Sequence, residues 1–175
     1  IGLEVLLLDI VPNALTEIEE KKGLTLESKV VRNRVVNDHL AIALKSNPSP
    51  IYSQKFASRI TTGNTTDDMS KIATCDWIIE VVVERLDIKK LVFEQIDKFR
   101  KLGTLVTSNT SGIPIHFMSE GRSDDFQAHF CGTHFFNPAR YLKLFEIIPG
   151  PKTSQEVLDF LFEYGSKFLG KTSVV

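Results

Sequence analysis

The chain has 175 residues, 42% of them apolar and 25% charged, with a net charge of −1, which suits one domain with a sizeable core. So small a net charge excludes a partner held by bulk electrostatics, and neither nucleic acid nor a membrane is expected. Two cysteines, Cys75 and Cys131, are too few and too widely spaced for a disulfide framework or a zinc site. They fit a reducing compartment. No apolar run approaches the roughly 18 residues of a membrane span. No targeting segment is expected, because the chain starts inside an apparent strand with no basic region ahead of it.

In chain order, Leu3–Leu8 reads as a short buried strand ending at the acid Asp9. Pro12 sits where a helix could begin, and 13–22 is helix-compatible, ending near Gly23. Glu27–Lys45 is a longer helix, and Ser46-Asn47-Pro48-Ser49-Pro50 breaks it. Ile60–Thr62 predicts a short strand and 67–73 a short helix. The run "DWIIEVVV", 76–83, is the strongest strand signal. Leu86–Leu102 is then an amphipathic helix, with Leu91, Val92, Ile96 and Phe99 toward a core and Gly103 at its end. Strands are expected at 104–107, 126–136 and 141–148, the last two around an Asn137-Pro138 turn. A helix over 154–168 and a strand from Lys171 follow. Strands alternating with helices predict an α/β fold with a doubly wound, mostly parallel sheet. The strand after the Asn137-Pro138 turn makes a mixed edge.

Three segments hold residues suited to chemistry. In "SNTSGIPI", Ser108, Asn109, Thr110 and Ser111 directly follow a strand, where ligands of open α/β sheets bind. The same residue types equally serve as a helix cap. In "GTHFFNPARYLKLFEIIPG", a hairpin turning near Asn137-Pro138 would bring His134 beside Glu146, twelve residues on. A carboxylate beside an imidazole fixes its tautomer and stabilises its charged form, which makes a general base. A structural histidine with a hydrogen-bond partner reads identically. In "EVVVERLDIKK", Glu84 ends the strongest strand and Lys89 lies near the start of the next helix. Both could face a ligand above the sheet, or form a solvated helix start. His39, His116 and His129 have no metal-ligand spacing and read as structural.

Together these segments resemble the NAD-binding domain of the L-3-hydroxyacyl-CoA dehydrogenase family. The likeness runs over nearly the whole chain: an acid-terminated strand, a long helical excursion, "VVVERLDIKKLVFEQID", "SNTSGIPI" and "GTHFFNPARYLKLFEIIPG". It implies a Rossmann-like fold and an NAD-dependent oxidation of the 3-hydroxyl of an acyl-CoA to a ketone in fatty-acid β-oxidation. By this likeness His134 is the general base, Glu146 its support, and Ser111 a hydrogen-bond partner of the substrate oxygen. Asp9 takes the adenosine ribose hydroxyls and repels the 2′-phosphate of NADP. Glu84, Lys89 and Asn109 line the nicotinamide side, and Asn137 braces the site through its amide. No metal is implied. The implied parent enzyme is a homodimer or part of a multifunctional β-oxidation protein, in a bacterial-type cytoplasm or the mitochondrial matrix.

The sequence departs from this pattern in two ways. A glycine-rich phosphate loop should lie roughly 20 residues upstream of the ribose acid, and only eight residues precede Asp9. The first strand of the 3-2-1-4-5-6 order and the helical C-terminal domain of the family are also missing from the pattern. The expectation is an N-terminally incomplete NAD-binding domain over 1–175 that binds NAD poorly in isolation and does not turn over. Two alternatives stay open: a same-family dehydrogenase of a sugar acid or other small hydroxy acid, and a non-catalytic family member.

Overall fold

The apolar run before Asp9 forms β1 (Val5–Asp9), which pairs in parallel with β2 (Ile60–Asn64), Val5 opposite Ile60 and Asp9 opposite Asn64. The computed structural model describes residues 2–175, which divide into two compact units, 2–70 and 71–175. The strands form two sheets, β1-β2 in the first unit and a five-stranded sheet in the second.

In the first unit the crossover from β1 to β2 runs through α1 (Glu17–Lys21), α2 (Lys29–Arg32) and α3 (Arg34–Lys45). The first helix starts later than Pro12 because Thr16 builds its cap. The Thr16 hydroxyl accepts from the Glu19 amide, and the Glu19 carboxylate accepts from the Thr16 amide at 2.7 Å. The helix expected over 27–45 divides at Asn33, whose side-chain oxygen accepts from the fully buried Asn64 amide group at 2.8 Å. Beside this junction the Arg32 guanidinium grips Asp67 through two 2.7 Å hydrogen bonds. A short 3-10 helix, Gln54–Arg59, leads into β2. The helix expected at 67–73 is a 3-10 turn, Met69–Thr74.

The second unit carries β3 (Trp77–Glu80), α4 (Leu86–Phe99), β4 (Leu105–Ser108), α5 (Ile115–Ser119), α6 (Asp124–Ala128), β5 (Phe130–Phe135), β6 (Leu144–Pro149), α7 (Gln155–Lys167) and β7 (Thr172–Val174). The sheet order is β3-β4-β5-β6-β7. All neighbours are parallel except β5 and β6, which makes the expected mixed edge. Side chains alternate between its faces. Leu105, Cys131, Phe145 and Ile147 meet Val157 and Leu161 of α7 on one face. On the other, Phe130 packs against Phe93 of α4 and Phe126 of α6, with centroids 5.0 and 5.1 Å away. Helices cover both faces, as a doubly wound sheet requires.

Further expectations are corrected in the second unit. The strand at 76–83 ends at Glu80, because the Glu80 carboxylate turns back to accept the Val82 amide at 2.6 Å and takes it out of the ladder. Val81 and Val83 are exposed. Phe126 lies in α6 and not in a strand, since the Ser123 hydroxyl caps the Phe126 amide at 3.1 Å. The strand expected at 141–148 starts only at Leu144. The core face of α4 is Lys89, Phe93 and Ile96 at helical spacing, continuing to Arg100. Leu91 is exposed, and the helix stops at Phe99, ahead of Gly103.

Candidate active site

The β5-β6 ladder places His134 directly opposite Glu146. Their neighbours Phe135, Phe145 and Ile147 point to the α7 side and anchor the register. Both side chains of the pair therefore emerge on the opposite face. His134 Nδ1 lies 2.8 Å from Glu146 Oε2, and His134 Nε2 lies 3.3 Å from the Ser111 hydroxyl. The Phe136 ring sits 4.4 Å from the imidazole centroid. The imidazole is 19% exposed and Glu146 39%: the base is mostly sheltered and open on one side. A cleft of about 210 Å³ runs beside Ser111, bounded by Ile113, Ile115 and Ile148.

Ser111 is held by a carboxylate from outside its own segment. Glu84 Oε1 accepts from the Thr110 hydroxyl at 2.5 Å and from the Ser111 and Gly112 amides at 3.1 and 3.2 Å. Partial burial works to raise the Glu84 carboxyl. The hydrogen bonds from Thr110 and Gly112 and the nearby Lys89 ammonium outweigh it and hold the group at about 2. The segment "SNTSG" is thus an anion-gripping turn around Glu84, and Thr110 also caps it by accepting from the Ile113 amide at 3.1 Å.

Beneath this turn lies a buried ion pair. Lys89 Nζ reaches Glu80 Oε1 and Oε2 at 2.8 and 3.0 Å, and both side chains are 1% exposed. The same ammonium is 3.3 Å from Glu84 Oε2, and the Ser108 hydroxyl donates to Glu80 Oε2 at 2.5 Å. Glu80, not Glu84, ends β3, and Glu84 lies on the loop beyond. Lys89 was expected to line a ligand site. It lies under that surface, with its charge spent on the two glutamates. Glu80 was not among the expected site residues. The signal for it was a charged residue, Lys89, at a core position of α4, which demands a buried partner.

Asn109 ties two strands together. Its amide donates to Glu80 O and its side-chain oxygen accepts from the Phe135 amide, at 2.9 and 2.8 Å. That commits the carbonyl end of its side chain to the scaffold. Asn137 is exposed on the turn beyond β5 and makes no hydrogen bond to Ser111, His134 or Glu146.

In the first unit, Asp9 stands at the carboxyl end of β1. Its Oδ1 accepts from the Ile10 amide, and its Oδ2 lies 2.8 Å from His39 Nδ1 of α3. His39 was read as structural; it is 65% exposed and partners the expected ribose ligand. Their separation of 30 residues gave the sequence no signal for the pair. Each Asp9 oxygen keeps a further acceptor position, so the carboxylate fits a vicinal diol. Among the described residues no cluster of acids, histidines or cysteines could hold a metal ion, and no helix is long and apolar enough to cross a membrane.

Comparison with known proteins gives the family of the chain. A "Probable 3-hydroxyacyl-CoA dehydrogenase" of Bacillus subtilis is 57% identical over 171 residues, which is 98% of this chain and 22% of that protein. The human mitochondrial hydroxyacyl-coenzyme A dehydrogenase is 34% identical over 95% of this chain and 48% of its own length. The solved dehydrogenase part of a multifunctional enzyme from C. elegans superposes with a TM-score of 0.64 at 25% identity, over 99% of this chain and 35% of that one. The chain therefore spans less than half the length of each. The model of the 3-hydroxyacyl-CoA dehydrogenase NAD binding domain matches residues 1–175, and the chain belongs to that family.

Proposed function

We propose that this chain is the NAD-binding part of a longer enzyme that oxidises the 3-hydroxyl of an L-3-hydroxyacyl-CoA to the ketone. The observation that carries the reading is the Ser111–His134–Glu146 chain of contacts at 3.3 and 2.8 Å. A carboxylate can only accept, so His134 holds its hydrogen on Nδ1 toward Glu146 and presents the Nε2 lone pair toward Ser111. A substrate hydroxyl between Ser111 Oγ and His134 Nε2 gives its proton to Nε2 as it becomes a carbonyl. The imidazolium formed then faces Glu146. Bound NAD supplies the hydride acceptor. Ser111 hydrogen-bonds the substrate oxygen, and the Glu84 grip on its backbone keeps that hydroxyl in place.

Asp9 holds the adenosine ribose, while Glu84 and the side-chain Nδ2 of Asn109 face the nicotinamide half. Lys89 serves this site from beneath, by fixing Glu84. Asn137, exposed on the turn beyond β5, braces the site through its amide. The acyl-CoA enters beside Ser111. The parent works as a homodimer or inside a multifunctional β-oxidation protein, in a bacterial cytoplasm or the mitochondrial matrix. The sizes of the relatives support a longer parent.

The test is His134→Gln in the full-length protein, assayed with acetoacetyl-CoA and NADH. We expect kcat to fall by about 10²–10⁴, the span of a general base, with the circular dichroism spectrum unchanged. Retained turnover would remove His134 from the mechanism.

A further inference from the structure

We infer that His39 is a positioning residue for the cofactor's adenosine end, acting through Asp9. This rests on the proposed reading of Asp9 as the ribose ligand. Three observations carry it. First, Asp9 is held at both ends. Oδ1 is fixed by the Ile10 amide at 2.8 Å, and His39 Nδ1 lies 2.8 Å from Oδ2. With the first contact alone the carboxylate could turn about its Cβ–Cγ bond; with both, its plane is set before any ligand arrives. Second, the two contacts leave one acceptor position on each oxygen, and a ribose 2′,3′-diol has two hydroxyls to donate. A carboxylate already turned to the diol spares binding the cost of ordering it. Third, the imidazole is 65% exposed while Asp9 is 32% exposed. So open a side chain adds little packing, which separates its service to Asp9 from any service to the fold. The scaffold beneath is firm: α3 packs on β1 and β2, and the Thr65 amide donates to Asp9 O at 2.9 Å.

The experiment uses the full-length protein and compares His39→Leu, His39→Asn and Asp9→Ala. Asparagine carries its Nδ2–H₂ at the same number of bonds from Cα as histidine carries Nδ1. Calorimetry measures the Kd for NAD and for ADP-ribose, which has the adenosine ribose and no nicotinamide, and kcat is measured at saturating NAD. For His39→Leu both Kd values rise by about fivefold, the size of an ordinary net hydrogen bond, with kcat unchanged. His39→Asn restores most of the loss. An unchanged Kd in His39→Leu, or a His39→Asn no better than His39→Leu, overturns the assignment. If Asp9→Ala binds NAD as tightly as the wild type, the reading of Asp9 has failed and this inference goes with it. If Asp9→Ala is weak and His39→Leu is not, His39 alone has been misread.

Discussion

Lys89 and Glu80 meet at 2.8 Å with both side chains closed to solvent, and this pair underlies the turn that carries Ser111. Water cannot compensate either charge, so each needs the other. Lys89→Met should cost about 3–5 kcal/mol, the usual penalty for orphaning one member of a buried pair. Urea unfolding is the measurement. The double variant Glu80→Leu, Lys89→Met should recover part of that loss, because no lone charge is left inside. A double variant weaker than the single one would mean that the Ser108 and Val82 contacts to Glu80 matter more than its charge.

Acid should act on two carboxylates held at about 2. Glu84 is raised by burial, but this is outweighed by Thr110, Gly112 and Lys89. Asp67 is lowered chiefly by Arg32, then by Asn64. Both values are depressed from an unfolded value of about 4. Their contribution is therefore fully present above that unfolded value and is lost as pH falls through the folded one. Stability should drop between about pH 4.5 and pH 2. Because both groups are partly exposed, the slope will be shallower than a buried pair would give. Asp67→Asn and Glu84→Gln should each flatten it in denaturant titrations across that window. A slope identical to wild type in both variants would locate the acid sensitivity elsewhere.

Gly165 faces β6 and β7 from α7. A Cβ there would come within 2.5 Å of Ser173 Oγ and 3.0 Å of Phe145 Cδ1. Phe145 belongs to the core and cannot yield freely. Gly165→Ala should therefore lower stability by about 1–3 kcal/mol, the cost of overpacking, although alanine is the better helix former. A higher melting temperature in this variant would show that α7 can slide.

What the sequence revealed was set by distance along the chain. His134 and Glu146 were legible because a hairpin brings residues twelve apart together, and the apolar alternation around each fixes which way it points. The parallel strands and the helices between them followed from hydrophobic pattern. Glu80 was missed because three valines after it prolong the apolar run, and only a contact of the carboxylate with the Val82 amide ends the strand. Lys89 looked like a surface residue because its partners lie five and nine positions back, outside the helix that carries it. The link between His39 and Asp9 depends on how α3 crosses β1, which no local pattern encodes. The cap on Phe126 was readable from Ser123 three residues earlier, but an aromatic run beyond it reads equally well as a strand.

The antiparallel ladder between β5 and β6 has a consequence for how the protein can vary. Residues 136–143 join the two strands, and a length change there that keeps Phe145 and Ile147 in the core leaves His134 opposite Glu146. One residue added inside β6 would instead turn Glu146 inward and push Phe145 or Ile147 out beside the imidazole. The pairing of His134 with Glu146 and the packing of the core are thus two readings of one frame. A frame error destroys both at once, while the connection is tied down separately, by Lys171 donating to the Ala139 and Leu142 carbonyls.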